Sequence, residues 1–358
     1  MKKINFCSGP AILDSSVIAN AGKALIDFNK TGLSLLEISH RSIEFVEVME
    51  KTKQLVKELL DVNDDYEVLF LHGGASLQFC MIPFNLLDDS GHALYSITGQ
   101  WAGNALKEAQ LFGKALAIHD SSDKNFNYIP TIEWEDSYNS ASYLHITSNN
   151  TIYGTQWSTL PTADIPLIAD MSSDIFSRKI KVSDFDLIYA GAQKNMGPAG
   201  VCMVIIKKEI LGKVNRKIPT MLDYQTHITH KSMFNTPPVF AIYTSMLTLE
   251  WLKSIGGIEY IEKVNEEKAR LLYAELDRNA LFEPMVQGKD RSLMNITFRG
   301  KDENIEKKFK EVCKENGVVG LDGYRTVGGF RASIYNAMSI EKVSIFVSLL
   351  QDFEAKHG

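Results

Sequence analysis

The sequence predicts an α/β protein, with a large, mostly parallel sheet followed by a smaller α+β unit at the C-terminal end. Three observations point there. Short apolar runs alternate with helical patterns, the first five of six runs lead into turns of small polar residues, and the patterning changes near residue 260.

The apolar runs are Val68–Leu71, Leu94–Ile97, Tyr143–Ile146, Pro166–Ala169, Leu187–Ala190 and Val201–Ile206. Helical patterns follow the first two, over Leu77–Leu87 and Ala102–Phe112. Ligands of such sheets bind at the carboxyl ends of the strands, so the turns are where chemistry is expected. Farther on, Phe240–Ser254 and Ile258–Arg278 read as helices split by Gly256-Gly257, the second with Ile261, Val264, Leu272 and Leu276 on one stripe. Beyond them come strand-like Ser292–Phe298, helix-like Asn304–Glu315, strand-like Arg331–Tyr335 and helix-like Ile340–Phe353. The expected division is a large domain over residues 16–260 and a small one made of 261–358 together with residues 1–15.

A chain of 358 residues with 45% hydrophobic positions buries enough core to need no disulfide staples. Its four cysteines, Cys7, Cys80, Cys202 and Cys313, lie far apart without metal-ligand spacing, so a reducing compartment and no structural zinc are expected. The first ten residues lack the apolar stretch of a secretory signal, and no apolar run approaches the ~20 residues that span a bilayer. A cytoplasmic, soluble protein is the expectation. A net charge of −6 lacks the broad basic field that nucleic acid or an anionic membrane requires, so any anionic ligand must meet a local arginine cluster.

Four strand-end turns carry candidate chemistry. Tyr189–Gly200 (YAGAQKNMGPAG) sets Lys194 among small residues, where desolvation lowers an amine's pKa and frees it as a nucleophile. An ordinary surface lysine fits that segment about as well. Asp170 ends the run before it, where a carboxylate can keep a pyridine nitrogen protonated or cap a helix. His72-Gly73-Gly74-Ala75-Ser76 makes an anion cradle from backbone amides at a helix start, or a tight turn and nothing more. Trp101, after Gly99-Gln100, offers a face for a flat ring, and Thr151 a hydroxyl for a ring substituent. Asn149-Asn150-Thr151 matches a glycosylation sequon, which is set aside because nothing suggests secretion.

Taken together, the segments NFCSGP (Asn5–Pro10), EISHR (Glu37–Arg41), GGASLQF (Gly73–Phe79), YAGAQKNMGPAG, SMFNTPP (Ser232–Pro238) and VGGFRASIYNA (Val327–Ala337) resemble the phosphoserine aminotransferases of the class V family. The resemblance implies the aspartate-aminotransferase-like fold (fold type I), pyridoxal 5′-phosphate (PLP) as cofactor, and a homodimer with shared sites. It implies Lys194 as the Schiff-base lysine, Asp170 as partner of the ring nitrogen, Trp101 stacked on the ring and Thr151 at its hydroxyl. Ala75, Ser76 and Gln193 would hold the phosphate, with Asn235 and Thr236 reaching that of the other subunit. Ser8, His40 and Arg41 match substrate positions; Arg331 would pair with the α-carboxylate and Arg325 would face the distal anion.

Two departures bear on the substrate. Some family members carry arginine where this chain has Ser76 and histidine where it has Tyr324, which leaves His40, Arg41 and Arg325 as distal donors. The implied reaction interconverts 3-phosphohydroxypyruvate plus glutamate with phosphoserine plus 2-oxoglutarate, and extends to the phosphohydroxythreonine step of pyridoxine biosynthesis. The rivals are an alanine–glyoxylate aminotransferase, a cysteine desulfurase, and a scaffold without catalysis. A desulfurase needs a mobile nucleophilic cysteine, for which neither Cys202, in a strand, nor Cys313, in a helix, is suited.

Overall fold

The computed structural model describes residues 3–358. Its strands are β1 (Ile4–Asn5), β2 (Tyr66–Leu71), β3 (His92–Ile97), β4 (Lys114–Asp120), β5 (Leu144–Thr147), β6 (Asn149–Asn150) and β7 (Thr155–Gln156). They continue as β8 (Leu167–Asp170), β9 (Leu187–Gly191), β10 (Cys202–Lys207), β11 (Phe282–Pro284), β12 (Asn295–Gly300), β13 (Val318–Val319) and β14 (Phe330–Ser333). The helices are α1 (Ser15–Ile26), α2 (Ile43–Leu60), α3 (Gly74–Leu86), α4 (Gln100–Ala109) and α5 (Tyr224–Thr229). Then follow α6 (Val239–Ser254), α7 (Gly257–Arg278), α8 (Glu303–Glu315) and α9 (Ile340–His357).

Seven strands form the main sheet in the order β2-β10-β9-β8-β5-β3-β4. Neighbours from β9 to β4 run parallel, whereas β10 is antiparallel to both β9 and β2. The reason is chain length. Residues 192–201 are all that join β9 to β10, and a parallel return needs a crossover of a dozen residues or more, usually a helix. The central strands β8 and β9 are buried at every position, which explains their unbroken apolar text. The edge strand β4 was not anticipated: its sequence, KALAIHD, is largely exposed and needs no apolar run.

Helices cover both faces. Residues of α1, α2 and α6 pack on one side with Phe70, Ile146 and Ile188, while those of α3 and α4 pack on the other with Tyr95, Ile168 and Tyr189. A separate core gathers β11, β12 and β14 with α8, α9 and the later turns of α7. Ile4 and Phe6 belong to that core, and β1 pairs with β13, so the first described residues lie against the last quarter of the chain. The helix α7 links the two regions. Ile258 and Ile261 pack in the sheet's core, whereas Ala269, Leu272 and Leu276 pack in the C-terminal one.

The C-terminal core centres on Phe282, whose ring lies 4.7 Å from Phe309, 5.8 Å from Phe298 and Phe353, and 6.0 Å from Phe330. Phe282→Ala is expected to remove about 3–5 kcal/mol from this unit, the usual range for an aromatic truncated in a core. Hydrogen exchange of β12 and β14 amides reads it directly. Protection within about 1 kcal/mol of wild type would show that the aromatic cluster does not hold the unit together.

Candidate active site

The carboxyl ends of β2, β3, β5, β8 and β9 open onto one region. After β2 the chain turns through Gly73 and Gly74 with φ of +80° and +63°. A Cβ on Gly73 would stand 2.6 Å from that of Leu77, so both space and backbone demand glycine there. Helix α3 then starts with no side-chain cap, leaving the amides near Ala75 and Ser76 for an anion. Ala75 is half-buried and Ser76 exposed. At the rim, Thr236 O lies 2.8 Å from His72 Nε2, and Asn235 and Thr236 are exposed. After β3, Gly99 precedes α4 and half-buried Trp101; a Cβ on Gly99 would meet Asn150 Oδ1 at 2.7 Å and the Tyr153 ring at 3.3 Å.

Thr151, just beyond β6, is where the site closes. Its hydroxyl accepts from Lys194 Nζ at 3.0 Å, and its carbonyl accepts from Arg331 Nη1 at 3.2 Å. A second Arg331 nitrogen donates to Ser8 Oγ at 2.7 Å. Nε of Arg331 is buried without a partner, and no carboxylate pairs with this guanidinium among the described residues. Gln193, half-buried beside Lys194, packs over Gly191 and accepts from the Ala11 amide through its carbonyl at 2.8 Å.

Lys194 keeps part of its surface open to the cleft. Protein crowded around the amine nevertheless brings its pKa down to about 8; Asp170 opposes this and Arg331 adds to it. Burial pushes the Asp170 carboxyl up, against the pull of Lys194 and of hydrogen bonding from Ser172. The Ser172 amide donates to Asp170 Oδ1 at 2.9 Å. Desolvation thus governs both members of this pair.

Beneath these groups runs a buried polar layer that no motif in the sequence marks. Asn149 donates to Ser173 Oγ and Asn295 Oδ1, both at 2.8 Å, and Asn295 donates in turn to Ser333 at 2.9 Å and Tyr335 at 3.1 Å. Tyr335 donates to the Ser8 carbonyl at 2.8 Å. Asp174 accepts from Ser148, Gln156 and Arg178. The available signal was the number of polar residues, such as Asn149, Asn150 and Asn295, within or beside apolar strands. Asn149, Asn150 and Thr151 are all buried, so the sequon is closed to any modifying enzyme in the folded protein.

The expected distal donors are not drawn into this network. Arg41 and Arg325 are exposed and form no ion pair among the described residues, and His40 is half-buried with Nε2 unpartnered. Burial raises the Cys202 thiol and lifts that of Cys313 to about 12, which removes both as nucleophiles. A groove of about 650 Å³ near Asp186 and Lys207 opens at the amino ends of β8 and β9, away from Lys194; its lining mixes lysines with carboxylates and includes no glycine. Among the described residues no cluster of metal-binding side chains occurs and no helix is long and apolar enough to cross a membrane.

The profile of the class-V aminotransferases matches residues 4–346. The chain belongs to the class-V aminotransferase family. This class-V aminotransferase is 53% identical to the phosphoserine aminotransferase of Flavobacterium psychrophilum, covering 99% of this chain and 100% of that one. The phosphoserine aminotransferase of Bacillus circulans subsp. alkalophilus superposes with a TM-score of 0.96 at 41% identity, over 100% of this chain and 99% of that one. The PLP-bound phosphoserine aminotransferase of Trichomonas vaginalis superposes with a TM-score of 0.92 at 32% identity, over 98% and 100%. The fold is that of the PLP-dependent aminotransferases, with a large mixed sheet clad in helices.

With its pKa near 8, the Lys194 amine of the class-V aminotransferase is mostly protonated below that pH and mostly neutral above it. Cyanate labelling of Lys194 in cofactor-free protein, read by peptide mass spectrometry, should rise with a midpoint near 8. Asp170→Asn should lower the midpoint, because the carboxylate favours the charged amine. A wild-type midpoint at the ordinary lysine value near 10.4 would mean the amine is solvated.

Proposed function

We propose that this class-V aminotransferase moves an amino group between L-glutamate and 3-phosphohydroxypyruvate, giving O-phospho-L-serine and 2-oxoglutarate, with pyridoxal 5′-phosphate as cofactor. The substrate assignment is supported by relatives of that name that match over their full length. The chemistry rests on one observation: an amine of depressed pKa and a guanidinium without a carboxylate meet on the same residue, Thr151.

The surrounding residues fit the cofactor. The glycine turn, which a Cβ would fill, and the uncapped start of α3 suit a phosphate, held by Ala75 and Ser76 with Gln193. Trp101 offers a face to the ring, Thr151 a hydroxyl, and Asp170 a buried carboxylate that keeps a proton on the ring nitrogen. When bound, the protonated ring supplies a sink for the electrons left at the substrate's Cα. Arg331 grips the α-carboxylate of each amino acid in a fork that suits it, with Ser8 steadying the guanidinium. The Lys194 amine, with a neutral fraction that its pKa of about 8 supplies, would take the proton from Cα and deliver it to the C4′ carbon of the cofactor. His40, Arg41 and Arg325 face the distal phosphate or carboxylate.

The site is shared in a homodimer: Asn235 and Thr236, exposed at the rim, reach the cofactor phosphate of the second copy. The cytoplasm, where the thiols of Cys7 and Cys80 stay reduced, is its compartment.

The decisive experiment supplies purified protein and pyridoxal phosphate with phosphoserine and 2-oxoglutarate, and follows glutamate formation. Wild type should turn over and Lys194→Ala should not; equal rates would remove Lys194 from the mechanism. Arg331→Ala should weaken phosphoserine, glutamate and alanine alike by about ten- to a hundredfold, the worth of ~1.5–3 kcal/mol for a charge-assisted hydrogen bond. Arg325→Ala should spare alanine, which has no distal anion. Equal losses for all three donors in Arg325→Ala would dismiss a dedicated distal pocket.

For the shared site, Lys194→Ala subunits mixed with Asn235→Ala/Thr236→Ala subunits should regain activity, because one of the two sites is then whole. No recovery after mixing and verified exchange would count against it.

A further inference from the structure

Lys268 is a second buried lysine, and nothing in the reaction calls for its charge. It lies on α7 at the handover from the sheet's core, at Ile261, to the C-terminal core, at Leu272. Its relative exposure is 0%. Nζ spends its three protons on backbone carbonyls, those of Ile334 at 2.8 Å, Tyr335 at 2.9 Å and Met338 at 3.0 Å. No carboxylate pairs with it among the described residues, and burial alone lowers its pKa, to about 7. An apolar side chain of the same length would fill this space without the cost of burying an ammonium. Three carbonyl oxygens converge on this one amine, a set of acceptors that only its charged form, with three N–H donors, fills completely.

The turn so gathered leads out of β14, the strand of Arg331, and touches the other half of the site. Tyr335 donates to the Ser8 carbonyl at 2.8 Å, and the Ser8 hydroxyl accepts from Arg331. The Asn336 amide donates to Asn195 Oδ1 at 3.0 Å, next in the chain to Lys194. Its side chain donates to the Phe176 carbonyl at 2.9 Å, and its Oδ1 accepts from Asn265, on α7, at 2.9 Å. Phe176 has φ of +60°, a left-handed conformation that a buried aromatic keeps only when its surroundings enforce it. A rigid path therefore runs from Lys268 through Asn336 to the Lys194 turn, and through Tyr335 to Ser8 and Arg331.

We propose that Lys268 is a positioning residue: by drawing three carbonyls of the 334–338 turn onto its ammonium, it sets the separation between the Arg331 guanidinium and the Lys194 amine. The inference deepens the proposed function and rests on that reading for its catalytic meaning, although the spacing itself can be measured without turnover.

Lys268→Met keeps an unbranched side chain, one atom shorter, and removes its charge. In cofactor-free full-length protein, cyanate labelling of Lys194 senses Arg331, whose charge lowers the lysine's pKa. The labelling midpoint should rise in Lys268→Met, in the same direction as in Arg331→Met. In the cofactor-loaded enzyme, the dissociation constant of glutarate, an unreactive dicarboxylate, should rise about tenfold, and KM for glutamate should rise with it. Asn336→Ser, which cuts the side-chain links of the turn to Phe176 and to Asn265 on α7, should shift both readouts the same way. The double variant should be no worse than Lys268→Met alone, since Asn336 lies on one branch of the path that Lys268 holds. A Lys268→Met protein that is merely less stable, with wild-type midpoint and glutarate affinity, overturns the inference. Should that variant fail to fold, Asn336→Ser decides: unchanged readouts overturn the inference and shifted ones support it. Wild-type protein inert toward phosphoserine and glutamate would sink the proposed function alone, because the midpoint shift still reports the spacing.

Discussion

Two cations, Lys194 and Arg331, share one residue, Thr151, and each lacks a carboxylate salt bridge among the described residues. Like charges at close range in a partly desolvated cleft repel, so the arrangement persists only because the scaffold holds both ends. Lys194 is fixed by the short return between β9 and β10, and Arg331 by β14 in a different sheet. The buried polar layer from Asn149 through Asn295 to Tyr335 joins the two sheets at the depth where the cations meet. An anion introduced between them relieves the repulsion.

That polar layer contributes direction more than strength. Buried hydrogen-bonded networks are costly when one member goes unsatisfied and, when complete, exclude other packings. Asn295 illustrates it: its side-chain nitrogen reaches Ser333 and Tyr335, while its oxygen accepts from Asn149. An apolar interface between the sheets would tolerate small slips; these paired donors and acceptors do not.

The sequence made the strand ends legible because β8 and β9 are buried throughout and so carry continuous apolar text ending at Asp170 and Gly191. The glycine turn before α3 was equally plain, since Gly73 has no steric substitute. The edge strand β4 was illegible for the opposite reason: exposure frees it from any pattern. Lys268 and Asn336 could not be found by spacing, because their partners, backbone carbonyls for the first and Asn195, Phe176 and Asn265 for the second, lie many residues away. The change of text near residue 260 falls within the first turns of α7, a continuous helix that serves two cores.

The placement of the amino end has a consequence for how the molecule is made. Ile4 pairs with Val318, Phe6 packs against Phe346, and Ser8 meets Arg331. These contacts join segments more than three hundred residues apart in the chain. Loop-closure entropy over such separations must be met before any of those contacts can form. The sheet around β8 and β9 can therefore assemble while synthesis continues, with Lys194 already in its turn but no arginine opposite it. In a nascent chain the Lys194 turn waits for Arg331, which emerges more than a hundred residues later, before both can meet at Thr151.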